Sequence, residues 1–279
     1  MALVVGGSGQ LGRELAARLV GATLTYNSNQ LGGGVKLDLT QPASIEDLII
    51  KRKPEVVVNA AAYTDVDGCE ANRELALRVN ALAVKHIVRA ARLVGAYVVQ
   101  VSTDYVFDGE QGCYREDDTP SPINHYGVTK LLGEAYAQSY DDSLVVRTSG
   151  VFGHKNNFPL FALQKLRRGE EVHAVELWYS PIHASSLAAA IVELVNRRLT
   201  GVIHVAGEKV SRYELACTMA KMIGADPKLV VKIPYSEAGF KARRPKDSSL
   251  SIEKAKTLVK HPFYSLEEGL RLLIDAHTI

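Results

Sequence analysis

Short β-branched runs alternate with longer amphipathic stretches through the first half of this 279-residue chain, and few folds accommodate that rhythm. Leu3-Val4-Val5 reads as a strand, a helix is predicted near 10–20, a second strand near 23–26 and a helix near 42–53. Val56-Val57-Val58 is an apolar run short enough to be a strand buried on both faces. Leu75, Val79, Leu82, Ile87 and Leu93 recur at helical spacing, which predicts one long helix over 70–94. A strand over 97–101, a polar loop over 108–122, a helix over 126–140 and a strand over 144–147 complete the series. Repeated strand–helix–strand units predict an α/β fold with a parallel, doubly wound sheet. Beyond it, a helix over 187–196 and a strand over 202–205 are expected to return to the same sheet. Residues 208–279 read as a smaller helical lobe with a loop at 235–251. The expected division is 1–150, completed by 180–207, against a lobe of 151–179 and 208–279. Ligands of such folds lie beyond the carboxyl ends of the strands.

Composition narrows the function classes. The chain is 47% hydrophobic, with 33 basic and 31 acidic side chains and a net charge of +2, so disorder and electrostatic nucleic-acid binding are not expected. No stretch approaches the roughly 18 consecutive apolar residues that span a bilayer, and no membrane association is expected. Residues 1–7 are apolar, lack a basic leader and are soon followed by Arg13 and Glu14, which predicts no signal peptide and a cytoplasmic location. Cys69, Cys113 and Cys217 have neither disulfide-framework nor zinc spacing and are expected as buried small hydrophobes; no metal is expected.

Three motifs carry chemistry. Gly6-Gly7-Ser8-Gly9-Gln10-Leu11-Gly12 follows the first strand and opens a helix. Glycines at 6, 9 and 12 permit a tight turn, close backbone approach to a pyrophosphate and helix–strand packing, with helix-start N–H groups facing the phosphates; an ordinary turn is the bland alternative. An acidic residue about 20 positions on would favour NAD(H), but Tyr26-Asn27-Ser28-Asn29 stands there, which favours NADP(H), with Arg13 as a phosphate partner or a solvated helix-face residue. Asp38, beside Leu39, suits either an adenine contact or the cap of the next helix. Tyr126-Gly127-Val128-Thr129-Lys130 places a phenol and an ammonium four apart, hence on one helical face, where the cation can lower the phenol pKa. Ser102-Thr103-Asp104-Tyr105-Val106-Phe107-Asp108-Gly109 ends a strand with a hydroxyl suited to a carbonyl, or simply starts a turn.

With these motifs in this order, the sequence resembles the dTDP-4-dehydrorhamnose reductase family of the extended short-chain dehydrogenase/reductases. The likeness extends through Asn59-Ala60-Ala61-Ala62-Tyr63-Thr64-Asp65-Val66-Asp67, Arg147-Thr148-Ser149, Ser180-Pro181-Ile182, Gly201–Gly207 and Ala242-Arg243-Arg244-Pro245. It implies a Rossmann-type sheet with a substrate-binding lobe, and hydride transfer from NADP(H), with NAD(H) the second candidate, to the C4 ketone of a nucleotide-linked 4-keto-6-deoxyhexose. Tyr126 would protonate the alkoxide. Lys130 would lower the phenol pKa and hold the nicotinamide ribose, and Thr103 would polarise the ketone. Gly6, Gly9, Gln10, Leu11, Gly12, Asn27, Ser28, Asp38, Leu39, Asn59, Ala60, Ala61 and Ala62 would meet the cofactor. Asp104, Tyr105 and Gly150 would position the sugar. Arg243 and Arg244 either pair with the substrate diphosphate or form a solvated charge run, and Asn80 is either a supporting asparagine or a buried amide.

The family pattern is Arg-Thr-Ser-Trp, whereas this chain has Gly150 in the fourth place, and Trp178 is its only tryptophan. The same architecture occurs in a non-catalytic NADP-binding subunit, the methionine adenosyltransferase β subunit, and in nucleotide-sugar epimerases. A monomer or homodimer is expected.

Overall fold

The structure, a computed structural model, describes residues 1–155 and 157–277. Asn156, in the expected 151–179 segment, and Thr278 and Ile279, at the end of 208–279, lie outside the described residues. The chain runs β1 (Ala2–Val5), α1 (Gln10–Arg18), β2 (Thr23–Tyr26), β3 (Val35–Lys36), α2 (Pro42–Arg52) and β4 (Val56–Asn59). It continues through α3 (Val66–Ala71), α4 (Arg73–Leu77), α5 (Ala83–Val94), β5 (Tyr97–Thr103), α6 (His125–Gln138) and β6 (Ser143–Thr148). With the later strand Gly201–His204 these form one parallel sheet in the order Gly201–His204, β6, β5, β4, β1, β2, β3. That is the doubly wound order, with its reversal at β1 and β4.

The triple valine and its neighbours explain the layering. Alternate side chains of a strand face opposite ways, and both faces here are covered. Val4, Val58, Val99 and Val146 pack with Leu11 and Leu15 of α1 and with Leu187, Ile191 and Leu194 of the helix Ala184–Asn196. Leu3, Val5, Val57, Val98 and Val145 pack the other way, against Ile45 and Ile49 of α2 and Val84, Ile87 and Ala91 of α5. A third core joins the helices Phe158–Arg167, Arg212–Ile223 and Leu266–Ala276 through Leu163, Met219 and Leu270. Beside it, Val172–Val175 and Val230–Ile233 form a small parallel pair. Ile252, Ala255, Val259 and Phe263 pack into the sheet-side core instead.

Two expectations change. The single helix over 70–94 is a series: α3 starts four residues earlier on the Asp65 carboxylate, which accepts from the Gly68 N–H, and Asn72 (φ −125°, ψ 60°) separates it from α4. A single π-turn, Arg78–Leu82, then precedes α5. The lobe was expected to be helical, yet it holds the strand pair above; its alternation is too short to register in sequence. Among the described residues, no helix is long and apolar enough to cross a membrane.

Candidate active site

A cleft of about 840 Å³ opens beyond the carboxyl ends of β1, β4, β5 and β6 and extends beneath the strand Trp178–Tyr179 and Arg212. Its dinucleotide end is built by the glycine turn. Gly6 has φ +85°, the left-handed region, and its carbonyl accepts from the Gly9 N–H at 2.9 Å. A Cβ at Gly12 would stand 2.1 Å from the Gly6 oxygen, so only glycine lets α1 rest on the turn. Gly9 caps α1 without a side-chain hydrogen bond, which leaves the first-turn N–H groups for an anion. The Gly6 N–H donates to Thr25 Oγ1 at 3.1 Å, tying the turn to β2. Asn27, Ser28, Asp38 and Leu39 line the same end, with no carboxylate directly after β2 to repel a ribose phosphate. The donor set and the glycine cradle fit a dinucleotide.

The other end rests on the approach of α6 to the turn after β5. A Cβ at Gly127 would lie 2.1 Å from the Tyr105 carbonyl oxygen and one at Gly133 would lie 2.4 Å from the Asn80 carbonyl, so two glycines set α6 against its neighbours. The Asn124 side chain caps α6 by accepting from the Gly127 N–H at 2.8 Å. Tyr126 and Lys130 both line the cleft. Contrary to the expected lowering by Lys130, burial pushes the Tyr126 phenol above the ordinary tyrosine range, opposed by the Thr103 hydroxyl facing it. Burial also draws the Lys130 ammonium down to about 8, and Lys130 donates to the Val101 carbonyl at 2.7 Å. Tyr105 meets Tyr126 edge-on, with centroids 6.0 Å apart.

Asp104 is the junction of three segments. It accepts from Thr103 Oγ1 at 3.0 Å, from Ser149 Oγ at 2.7 Å and from Ser248 Oγ at 2.6 Å. Burial raises its carboxyl pKa against the pull of those hydroxyls. Thr103 in turn accepts from the Tyr105 N–H at 3.2 Å, so its hydroxyl is held at the strand end.

The cleft gathers Gly6, Gly9, Gln10, Leu11, Asn27, Ser28, Asp38, Leu39, Ala60, Ala61, Ala62, Thr103, Asp104, Tyr105, Tyr126, Lys130 and Gly150. Other expected residues fall outside its lining. Gly12 lies under the turn, and Asn59, 1% exposed, donates to the Gln100 side chain at 2.8 Å while its oxygen accepts from the Ala61 N–H. Arg244 bonds Asp67 at 2.8 Å and packs on the Phe240 ring, and Arg243 does not line the cleft, its carbonyl serving Asn124. Arg13 is exposed outside the lining. Gln10, though in the lining, spends its amide on the Val151 carbonyl and the Lys155 N–H, and Asp38 forms the turn into α2 through Thr40. Asn80, 1% exposed, clasps the Tyr63 N–H and carbonyl and donates to Thr129. Cys69 is buried as expected, whereas Cys217, at the edge of the lobe's core, is only half-buried and Cys113 is exposed, on a left-handed turn (φ 49°). Among the described residues, no three His, Cys, Asp or Glu side chains gather as for a metal.

Sequence reasoning missed Arg212, Tyr179, Ser149 and Ser248 as cleft residues. Ser211 and Glu214 form a capping box that announces the helix carrying Arg212, but nothing local says which way that arginine faces.

The whole chain, residues 1–279, matches the family described as the RmlD substrate binding domain. It is 38% identical to the dTDP-4-dehydrorhamnose reductase of Mycobacterium tuberculosis over 261 residues, 88% of this chain and 82% of that protein. The structure of a hypothetical dTDP-4-dehydrorhamnose reductase from Sulfolobus tokodaii superposes with a TM-score of 0.91 at 48% identity, covering 95% of this chain and 98% of that one. The dTDP-4-dehydrorhamnose reductase of Bacillus anthracis, solved in complex with NADP, gives 0.89 at 29% identity, covering 99% and 98%.

Proposed function

The chain belongs to the RmlD family, that of the dTDP-4-dehydrorhamnose reductases, and from that premise we propose that it reduces the C4 ketone of dTDP-4-dehydro-L-rhamnose to give dTDP-L-rhamnose. It is an NADP(H)-dependent oxidoreductase, with NAD(H) as the second candidate cofactor. The observation that carries the reading is the convergence of Thr103, Tyr126 and Lys130 on one cleft with the glycine cradle. NADPH, when bound, would supply the hydride. Gly6, Gly9, Leu11 and the Ala60–Ala62 backbone hold the dinucleotide, Asn27 and Ser28 meet its adenosine ribose, and Lys130 holds the nicotinamide ribose.

The reduction needs one proton at the C4 oxygen. Tyr126 supports that role because burial keeps its phenol protonated, and an alkoxide is a stronger base than a phenolate. Thr103 stands at the same end of the cleft, and its single hydroxyl proton, donated to Asp104 at 3.0 Å, would turn from that carboxylate to the C4 oxygen when the ketone is bound. Arg212 lines the cleft and has no carboxylate partner among the described residues, while Arg244 is bound to Asp67. Arg212 therefore serves the substrate diphosphate better than Arg243 or Arg244. The residues that build the nucleotide end fall within 1–150, completed by 180–207, and the lobe of 151–179 and 208–279 supplies the sugar end, although its 252–263 stretch packs on the sheet side. The enzyme acts in the cytoplasm as a monomer or homodimer, with a nucleotide sugar as its partner.

The test is loss of NADPH absorbance with enzymatically prepared dTDP-4-dehydro-L-rhamnose. Tyr126→Phe should lower kcat by at least about a hundredfold, the lower end for a lost general acid, and leave NADPH affinity within twofold. A variant that keeps its rate removes Tyr126 as the acid.

A further inference from the structure

Resting on the reductase reading, we infer that Tyr179 recognises the hexose: its ring forms the wall that position 150 leaves open, and its hydroxyl hydrogen-bonds the sugar. The first observation is steric. A Cβ built on Gly150 would stand 2.8 Å from Tyr179 Cε2 and 3.1 Å from Cδ2. The ring fills the volume that any side chain at 150 would claim, so the absence of a side chain there and the presence of this ring are one arrangement. The second observation is the hydroxyl. Tyr179 OH is buried and has no hydrogen-bond partner, and the residue lines the cleft. A buried hydroxyl left unpaired is costly, and a ligand that pairs with it recovers that loss.

The position of Tyr179 assigns it to the sugar end. It lies on the strand Trp178–Tyr179, paired antiparallel with Val210–Ser211, and Arg212 follows directly. The next residue ties this strand to the catalytic end: the Ser180 N–H donates to Ser149 Oγ at 3.2 Å, and Ser149 donates to Asp104. Charges on Asp104 and Arg212 both act on the Tyr179 phenol, while burial holds it above the ordinary tyrosine range, so it stays a neutral donor. The strand β2 stands four places from β6 in the sheet. An aromatic face beside a hydroxyl donor is the chemistry that receives a pyranose, its C–H face on the ring and a hydroxyl on the phenol.

Tyr179→Phe keeps the ring and removes the oxygen, and Gly150→Ala keeps the oxygen and displaces the ring. Both should raise KM for the nucleotide sugar, the first about tenfold, with kcat within twofold and KM for NADPH unchanged. Wild-type protein should also bind dTDP-L-rhamnose more tightly than dTDP, and Tyr179→Phe should shrink that margin by the same factor. An unchanged KM in Tyr179→Phe beside an active wild type overturns the inference alone. A fall in kcat with KM unchanged overturns it too, since the phenol would then handle protons. A wild type that binds NADPH but reduces no dTDP-4-keto sugar overturns the reductase reading, and the inference with it.

Discussion

Gly127 shows how much one missing methyl can set. Its α-carbon, one residue after the proposed acid Tyr126, lets α6 lie against the carbonyl of Tyr105, and Pro122 Cβ would stand only 2.9 Å from an added Cβ. Gly127→Ala must therefore push the start of α6 away from the β5 turn by about an ångström. A displacement of that size from reacting geometry costs on the order of a hundredfold in kcat. With the glycine turn proposed to carry most of the dinucleotide's contacts and Lys130 only the nicotinamide ribose, NADPH affinity should change less than kcat. Stopped-flow turnover beside NADPH titration measures both, and equal losses in the two would mean that α6 also sets the dinucleotide end. The same kind of contact makes Gly12 indispensable and leaves Gly9, whose nearest neighbour would be the Gly6 oxygen at 3.1 Å, the more forgiving position.

At the scale of elements, the break that the periodicity concealed has a use. The π-turn over Arg78–Leu82 inserts a wide turn ahead of α5 and puts Asn80 where its amide can clasp both backbone groups of Tyr63 and reach Thr129 on α6. Insertions of this kind sit often beside functional sites. Here the turn couples the Ala60–Tyr63 wall of the cleft to the helix that carries Tyr126 and Lys130. Asn80→Leu strips three hydrogen bonds made by a buried amide and should lower unfolding stability by roughly 2–4 kcal/mol, read as a lower urea midpoint. An unshifted midpoint would mean that the Tyr63 backbone finds other partners.

Across the whole molecule, the sheet is tied to the loop over 108–122 by a buried polar group. Arg147 and Glu134, 4% and 0% exposed, form a two-pronged pair at 2.8–3.1 Å, and Arg147 also reaches His204. His204 is fully buried, its Nδ1 bonds the Tyr114 carbonyl, and burial beside the Arg147 charge draws its pKa down to about 3. The folded state therefore refuses a proton that the unfolded chain takes up below its ordinary value of 6.5. Stability is fully present above pH 6.5 and falls as pH drops toward 3, by about 1.4 kcal/mol per unit for this one group. At pH 5 the loss is about 2 kcal/mol relative to neutral pH, and His204→Gln should remove that slope. Urea unfolding of both proteins at the two pH values checks it, and parallel pH profiles would assign the acid lability elsewhere.

Sequence alone determined the parts of this protein that are local in the chain. The triple valine at 56–58 and its counterparts are doubly buried strands because only residues apolar on both faces suit a sheet covered on both sides. The glycine turn announces itself because its backbone demands hold within seven consecutive residues, and Tyr126 and Lys130 because helical spacing alone aligns them. Tertiary structure decided what depends on distance along the chain. Asn59 and Arg244 match the sequence pattern, yet they spend their side chains on Gln100 and Asp67, partners that no local spacing reveals. Arg212 and Tyr179 reach the cleft only because the strand Trp178–Tyr179 pairs with Val210–Ser211, some thirty residues on. Nothing near Gly150 in sequence predicts the ring that rests against it. Such contacts form when the lobe packs on the sheet, and the side chains that meet there are chosen by three-dimensional space rather than by periodicity.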